Sequence, residues 1–389
     1  MSGRIPPRRL APFYFSTLLL LSLSGLWLEL FHAPAATASA SHVATATEPH
    51  AASASHAGPA RRAHASAAPS ALFDTIFTVN STGDGADNSP GDGFCNDGTG
   101  NCTLRAAIME SNAFAGTDSI AFSIAGAGVH TISPASALPA ITDPVIIDGY
   151  TQPGSSQNTL TGGDDAVIEI ELDGTNAGAT ASGLVITGGN TTVRGLAINR
   201  FGTGGTTSVT SGGTGIELNS DGNTVAGCFI GTNAAGASAL PNINDGVGVT
   251  GNGNTVGGST AAARNVLSGN DREGLLLLST SSANDVFGNY IGTNLNGSAA
   301  LANGAGVVIF GLSNTNRVGG TNAGEGNLIS GNLDSGVLLV NTTHDNLVRG
   351  NLIGTNLAGS VALPNQNDGV QIFDTASNNI VGGSTAAAR

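Results

Sequence analysis

The chain has 389 residues with 58 Gly, 4% aromatic content and no Lys, and its 13 Arg face 27 acids for a formal net charge of −14. That acidic surface excludes nucleic acid and anionic membrane as natural partners, and leaves divalent cations and neutral glycans open. High glycine with few aromatics points to a tightly cornered β fold whose core is Val, Ile, Leu and Ala in thin layers.

Residues 1–40 read as an export signal. Arg4, Arg8 and Arg9 precede an apolar stretch from Phe13 to Phe31, and Ala38-Ser39-Ala40 offers a small-x-small cleavage site. The competing reading is an uncleaved anchor over Phe13 to Leu28, and the protein would meet a membrane through that segment alone. Residues 41–70 are Ala, Ser, His, Pro and Thr with little apolar bulk, the composition of a disordered spacer. His42, His50, His56 and His64 lie there at irregular spacing, which favours incidental composition over a metal-binding tract. Beyond residue 40, ten Arg face 26 acids, a formal charge of −16.

Residues 71–120 read as an N-terminal cap. Cys95 and Cys102 flank a Gly-rich hexapeptide and are placed to close a small disulfide loop in an exported chain, whereas Cys228 reads as a single buried thiol. Asp84, Asp87, Asp92 and Asp97 crowd the same Gly-rich loop with Asn88 and Asn96. Oxygen ligands on such a loop suit Ca²⁺, although the spacing is not that of an EF-hand and a solvated acidic turn is the rival reading. Thr103 can cap a helix, and Leu104, Ala107 and Ile108 share one helical face. A short helix near Leu104 to Asn112 would therefore plug the first coil of whatever follows.

Further on, Glu169, Glu171 and Asp173 alternate with Ile168, Ile170 and Leu172, so period two puts all three acids on the outer face of one strand. Arg194 and Arg200 follow one coil later.

Residues 121–389 then repeat. Ile230-Gly231-Thr232-Asn233 returns at Ile291 and Ile353, offsets of 61 and 62, and Val256-Gly257-Gly258 returns at Val318 and Val381. A fixed period is the mark of a solenoid. Each period splits into two halves of about 31 residues, and each half opens on a Gly-led apolar strand such as Gly246-Val247-Gly248-Val249. Two shorter strands follow, led by Asn: Asn223, Asn254, Asn284 and Asn346 at one site, Asn265, Asn289, Asn327 and Asn351 at another. Three short strands per coil, cornered by Gly and Asn, describe an all-β parallel β-helix. Asn recurring at one site per coil would stack in a hydrogen-bonded ladder with steps of about 4.8 Å. Alternate halves insert either Ile-Gly-Thr-Asn loops or Val-Gly-Gly-Ser-Thr-Ala-Ala-Ala-Arg loops, giving two ridges on which binding residues such as Thr232-Asn233, Thr293-Asn294 and Thr355-Asn356 are expected. The last copy, Asn379 to Arg389, stops before its third strand, so the expectation is that either the natural frame runs on or the chain pairs end to end.

Cys102-Thr103-Leu104-Arg105-Ala106-Ala107-Ile108 followed by Met109 to Ala113 resembles the Cys-Ser-Leu-Arg-Glu-Ala motif of exported bacterial β-helix proteins, the CSLREA domain, with Ala106 in place of its Glu. Val145 to Gly154 is similar to the segment that follows that motif, and the repeats resemble the right-handed β-helix repeats of the pectin-lyase-like superfamily. The resemblance spans nearly all of residues 75–389 and implies export and a right-handed coil, but no single activity. Pectate-lyase-like enzymes hold Ca²⁺ with acids beside an arginine base, which makes Glu169, Glu171, Asp173, Arg194 and Arg200 the candidates if this chain is a polysaccharide lyase. A hydrolase site has less support, because the folded part offers only His130 and His344, far apart, and no Lys. A repeat in which every coil serves stacking favours the other reading: a secreted or cell-surface stalk or binding surface, for glycans or for other surface proteins, with no assigned catalytic residue.

Overall fold

The computed structural model of the chain describes residues 75–114, 116–205 and 212–388. The export signal and the His-bearing spacer of residues 1–70 lie outside the described residues. Three all-parallel sheets of ten, eight and seven strands wrap one continuous core. We call them the first sheet (Ile76–Val79 to Ile380–Val381), the second (His130–Ile132 to Leu352–Ile353) and the third (Leu184–Ile186 to Val370–Ile372). Each coil visits the third sheet, then the first, then the second, as in Val247–Val249, Thr255–Gly257 and Val266–Leu267. Every rung pairs with its copy one coil away, so Val247 lies beside Ile216 on one side and Leu275 on the other. This is a right-handed parallel β-helix with three short strands per coil.

Alternation sets what lies inside. Val225, Val256, Val286 and Val318 stack inward from the first sheet, and Ile230, Leu267, Ile291 and Ile329 from the second, all fully or almost fully buried. Each such side chain contributes roughly 1.5–3 kcal/mol on burial. Few aromatics are needed because each layer is only one coil thick.

The corners carry the polar work. Asn223, Asn254, Asn284, Asn316, Asn346 and Asn379 form one ladder, in which each Nδ2–H donates to the next Oδ1 at 2.9–3.0 Å. Asn265, Asn289, Asn327 and Asn351 form a second. Asn242, Asn270, Asn303, Asn332 and Asn365 form a third, where the chain leaves the second sheet. The third ladder and the rungs Asn316 and Asn379 lie beyond the Asn positions singled out from the sequence. Nearly every rung is saturated. The Oδ1 of Asn284 accepts the backbone N–H and Nδ2–H of Asn254, while its own amide donates to Gly251 O and Asn316 Oδ1.

At the N-terminal end the helix Leu104–Ala113 packs on the strands Ile76–Val79 and Asp118–Phe122. Thr103 Oγ1 accepts the Ala106 N–H at 3.0 Å, so the helix starts on a side-chain cap. Leu104, Ala107 and Ile108 enter the core. Cys95 and Cys102 are bonded to each other, and Cys228 is free and buried. Glu110, fully buried on the same helix, accepts the N–H groups of Gly91 and Gly93 at 2.6 and 2.5 Å. Arg105 grips Asp84 through two bonds of 2.9 and 3.0 Å and reaches the carbonyls of Ser136 and Ala137. The Cys-Thr-Leu-Arg segment thus ties loop, helix and first coils together. Among the described residues, no helix is long and apolar enough to cross a membrane.

Candidate functional site

The second sheet carries a further apolar stack on its outer face: Ala197, Phe229, Val266, Tyr290 and Leu328. Period two forces these residues outward, because their neighbours Ile198, Ile230, Leu267, Ile291 and Ile329 point inward. Outward apolar residues need cover, and the Ile-Gly-Thr-Asn loops supply it through Ala234, Leu295 and Leu357. In those loops Gly231 and Gly292 hold φ of +89° and +87°, and a Cβ at Gly231 would collide with Ser268 O and Asn270 Oδ1. Asn233 Oδ1 accepts the Ala237 and Ser238 N–H groups, and Asn294 and Asn356 repeat the pattern. Thr232 and Thr293 are buried. The Thr-Asn pairs expected to bind ligand therefore shape their own loops, because the short turn uses the amide oxygen.

A second cover comes from outside the repeat. Ser156 and Val167 bridge antiparallel, and the residues between them leave the coil as a tongue. Asn158 Nδ2 donates to Ala261 O at 3.0 Å, and the Gly163 N–H donates to the Tyr290 hydroxyl at 2.9 Å. Arg264 closes the clamp by donating to the carbonyls of Leu160 and Thr161 at 3.0 and 2.9 Å and to that of Gly163, with its guanidinium 4.6 Å from the Tyr290 ring centroid. Past the tip of this tongue lies a groove of about 540 Å³. Thr161, Tyr290, Leu328, Leu352, Leu357 and Asn322 line it, with backbone from Gly288, Gly320, Gly324 and Gly350. Neither tongue nor groove was foreseen from the sequence. The unrepeated stretch Thr159-Leu160-Thr161-Gly162-Gly163-Asp164-Asp165 and the lone Arg that ends each Ala-rich loop were the available signals.

Inside the tongue Asp164 is buried, with Oδ1 accepting the Ala166 N–H at 2.9 Å and Oδ2 left unpaired. Burial pushes its pKa up to about 6; the Ala166 bond and the Arg264 charge offset this only in part. A second perturbed group, Asp245, stands where the chain enters the third sheet. Burial and the Glu273 carboxyl beside it hold Asp245 well above the ordinary carboxylate range, against the pull of Arg272. Arg272 reaches Asp245 at 3.8 Å and Glu273 at 2.9 Å. These acids occupy the same place in consecutive coils, a repeat that Asn-Asp-Gly and Arg-Glu-Gly disguise in the sequence.

The three acids expected on one strand are only partly assembled: the strand runs Ile170–Asp173, and Glu169 precedes it. Arg200 contacts Asp173 at 2.9 Å and Glu171 at 3.5 Å. Glu171 also accepts from Thr131 Oγ1 and Asn199 Nδ2, both at 2.9 Å. Glu169 has a buried, unpaired Oε2. Arg194 is elsewhere, on the first sheet, paired with Asp148 at 2.6 Å. With a guanidinium and two neutral donors already on the carboxylates, this set does not fit a Ca²⁺ ion.

The cap loop behaves similarly. Asp84 serves Arg105, Asp87 accepts the N–H groups of Ser89 and Asn96, Asp92 accepts that of Phe94, and Asp97 accepts those of Thr99 and Asn101. The Thr99 hydroxyl and N–H hold Asp97 below the usual carboxylate range. Asp84 ties the loop to the helix and to Ala135, the other three carboxylates hold backbone N–H groups of the loop itself, and among the described residues no group of three or more His, Cys, Asp or Glu is placed to hold a metal ion. Burial pushes the Cys228 thiol up to about 12, so at neutral pH it is an unreactive core group.

No family model matches the sequence, and no curated protein matches it. Among solved structures the chain is similar to the A-module of mannuronan C-5 epimerase AlgE4 from Azotobacter vinelandii, at 17% identity over 76% of this chain and 98% of that one, with a TM-score of 0.30. The A-module of mannuronan C-5 epimerase AlgE6 from the same organism matches at 18% identity over 75% and 90%, TM-score 0.32. Pectate lyase Pel9A matches at 16% identity over 79% and 80%, TM-score 0.35.

Proposed function

We propose that this chain is an exported β-helix, secreted or held at the cell surface, that acts as a rigid scaffold binding neutral glycans in the groove beyond the tongue. The observation that carries this reading is the groove itself, about 540 Å³ and walled by apolar side chains, Thr161, the Asn322 amide, glycine backbone and Arg264, whose guanidinium the tongue carbonyls already engage. A sugar presents both apolar faces and hydroxyls, which suits such mixed walls. The Cys95–Cys102 bond and the resemblance of residues 102–113 to the CSLREA motif support export, since such bonds persist in oxidising compartments. Titration with neutral oligosaccharides tests the reading. Binding should weaken about tenfold when Leu352→Trp fills the groove. Affinity unchanged by that substitution would remove the groove from the proposal.

A carbohydrate-active enzyme is the second reading, favoured by the placement of Arg200 against Glu171 and Asp173 on the outside of the coil. Depolymerisation of acidic and neutral polysaccharides, with and without Ca²⁺, separates the two. Turnover lost in Glu171→Gln would establish the enzyme.

A further inference from the structure

The seat under the tongue and the groove past its tip are two copies of one place in the repeat. On the outer face of the second sheet Val266, Tyr290, Leu328 and Leu352 lie side by side on consecutive coils, so Val266 and Tyr290 recur one period later as Leu328 and Leu352. The neighbouring loop keeps the same offset, because Val256 and Val318 both pair with Val286 between them. Ala261 and Arg264, which hold the tongue, thus correspond to Ala323 and Gly326 in the groove wall. Even the close backbone contacts repeat: a Cβ on Gly288 would strike the Gly258 carbonyl, and one on Gly350 the Gly320 carbonyl.

The copies differ in what fills them. In the first, Arg264 donates to tongue carbonyls and the Tyr290 hydroxyl accepts the Gly163 N–H. In the second, Gly326 and Leu352 stand in their places, so the two side chains of that clamp are missing, and among the described residues the copy is open. Thr161 belongs both to the tongue and to the groove wall, and a Cβ on Gly162 would touch Leu357 at 3.5 Å. The tip of the tongue thus stands at the junction of the two copies. Their separation is two coils, about 10 Å, or about two sugar residues along a glycan chain. Resting on the groove as a glycan site, we infer that the tongue is a length stop: it fills the first copy, confines a bound glycan to the second, and so sets how many sugar residues the site accepts. Without the tongue, the Arg264 guanidinium and the Tyr290 hydroxyl would be free for sugar hydroxyls.

Cello-, xylo- and manno-oligosaccharides from dimer to hexamer are the probes, titrated by calorimetry into the whole chain and into a variant without the tongue. In that variant a two-residue Asn-Gly turn replaces residues 157–166 and joins Ser156 to Val167, whose backbones already exchange hydrogen bonds of 3.0 and 2.9 Å. Affinity for the whole chain should stop rising at a short oligomer. In the variant it should climb for about two residues more and end about tenfold higher for the hexamer. Asn158→Ala loosens the tongue at full length, since Asn158 donates to Ala261 O and accepts the N–H groups of Leu160 and Asp165. It should strengthen binding of the hexamer and leave that of the dimer as it was, a split that a mere loss of stability would not produce. The same plateau in all three proteins would overturn the length stop and leave the groove standing. No binding of any oligomer by the whole chain would remove the glycan site and the length stop with it.

Discussion

The first coils and the later ones meet the same need by different means. Both must satisfy backbone groups at tight corners beside an apolar core, where an unpaired donor or acceptor costs about 1–3 kcal/mol. From Asn223 onward the answer is one amide copied coil after coil, with Asn284 bonded to the rungs above and below it. Before Thr191 each corner has its own device: Glu110 on two glycine N–H groups, Arg105 on Asp84, Gln152 on both the N–H and the carbonyl of Ile124. Devices that differ from coil to coil allow insertions such as the helix and the tongue. Copied amides confine insertions to the loops between rungs, and the price is that each rung depends on its neighbours.

That dependence gives the largest expected effect. Asn284→Ala takes the acceptor from two donors of Asn254 and the donors from Gly251 O and Asn316 Oδ1. Two or three buried groups are left unpaired, and a loss of about 3–6 kcal/mol should appear in chemical denaturation. Asn294→Ala, on an exposed loop turn, should lose about 1 kcal/mol or less. Equal losses would mean that the ladder is not cooperative.

Glu110→Gln tests the other region. It keeps one acceptor but removes the charge that holds the Gly91 and Gly93 N–H groups, and about 2 kcal/mol should be lost. The damage should be local, with hydrogen exchange rising in residues 88–101 and unchanged in the ladders.

How far the sequence revealed the molecule follows the same division. Copied residues were legible because repetition isolates them from noise: the three strands per coil and the Asn at Asn254 and Asn289 stood out. The third ladder was harder, since Asn242, Asn303 and Asn365 sit amid loops of different length that hide their alignment. The tongue was invisible for a physical reason. Arg264 and Leu160 are about a hundred residues apart and nothing periodic relates them. The candidate site suffered most, because outer-face acids such as Glu171 and Asp173 look alike whether they await a ligand or, as here, already hold Arg200 and Asn199.

Asp164 extends the comparison to pH. Its folded pKa, pushed up to about 6, lies above the ordinary 3.8, so between those values the folded state holds more of the proton than the unfolded chain. Stability should therefore fall as pH rises from about 4 to about 6, by on the order of 2 kcal/mol from this group. Asp164→Asn should remove that decline and be the more stable protein at pH 7. A decline that persists in the variant would place its origin elsewhere, with Asp245 the next group to replace.

The smallest effect lies where the two regions join. Cys228 occupies the position from which the second ladder starts: its N–H donates to Asn265 Oδ1 at 2.9 Å, and its sulfur sits 3.8 Å from Val193 O. Asn265 one coil later makes the stronger version of that contact, donating Nδ2–H to Val225 O at 2.8 Å, and Val193 pairs with Val225 in the first sheet. Cys228→Asn would thus meet Val193 O and Asn265 Oδ1 with its two amide donors and add one rung. Its own Oδ1 would accept the Leu196 N–H, which already points at the thiol, as Asn265 Oδ1 accepts the Cys228 N–H. The amide is larger than the fully buried thiol it replaces, and that packing cost offsets most of the gain, so stability should change by no more than about 1 kcal/mol in either direction. A loss as large as that of Asn284→Ala would show that the ladder cannot be extended into the region of single-use contacts, and that the boundary at this coil is set by packing around the thiol rather than by hydrogen bonding.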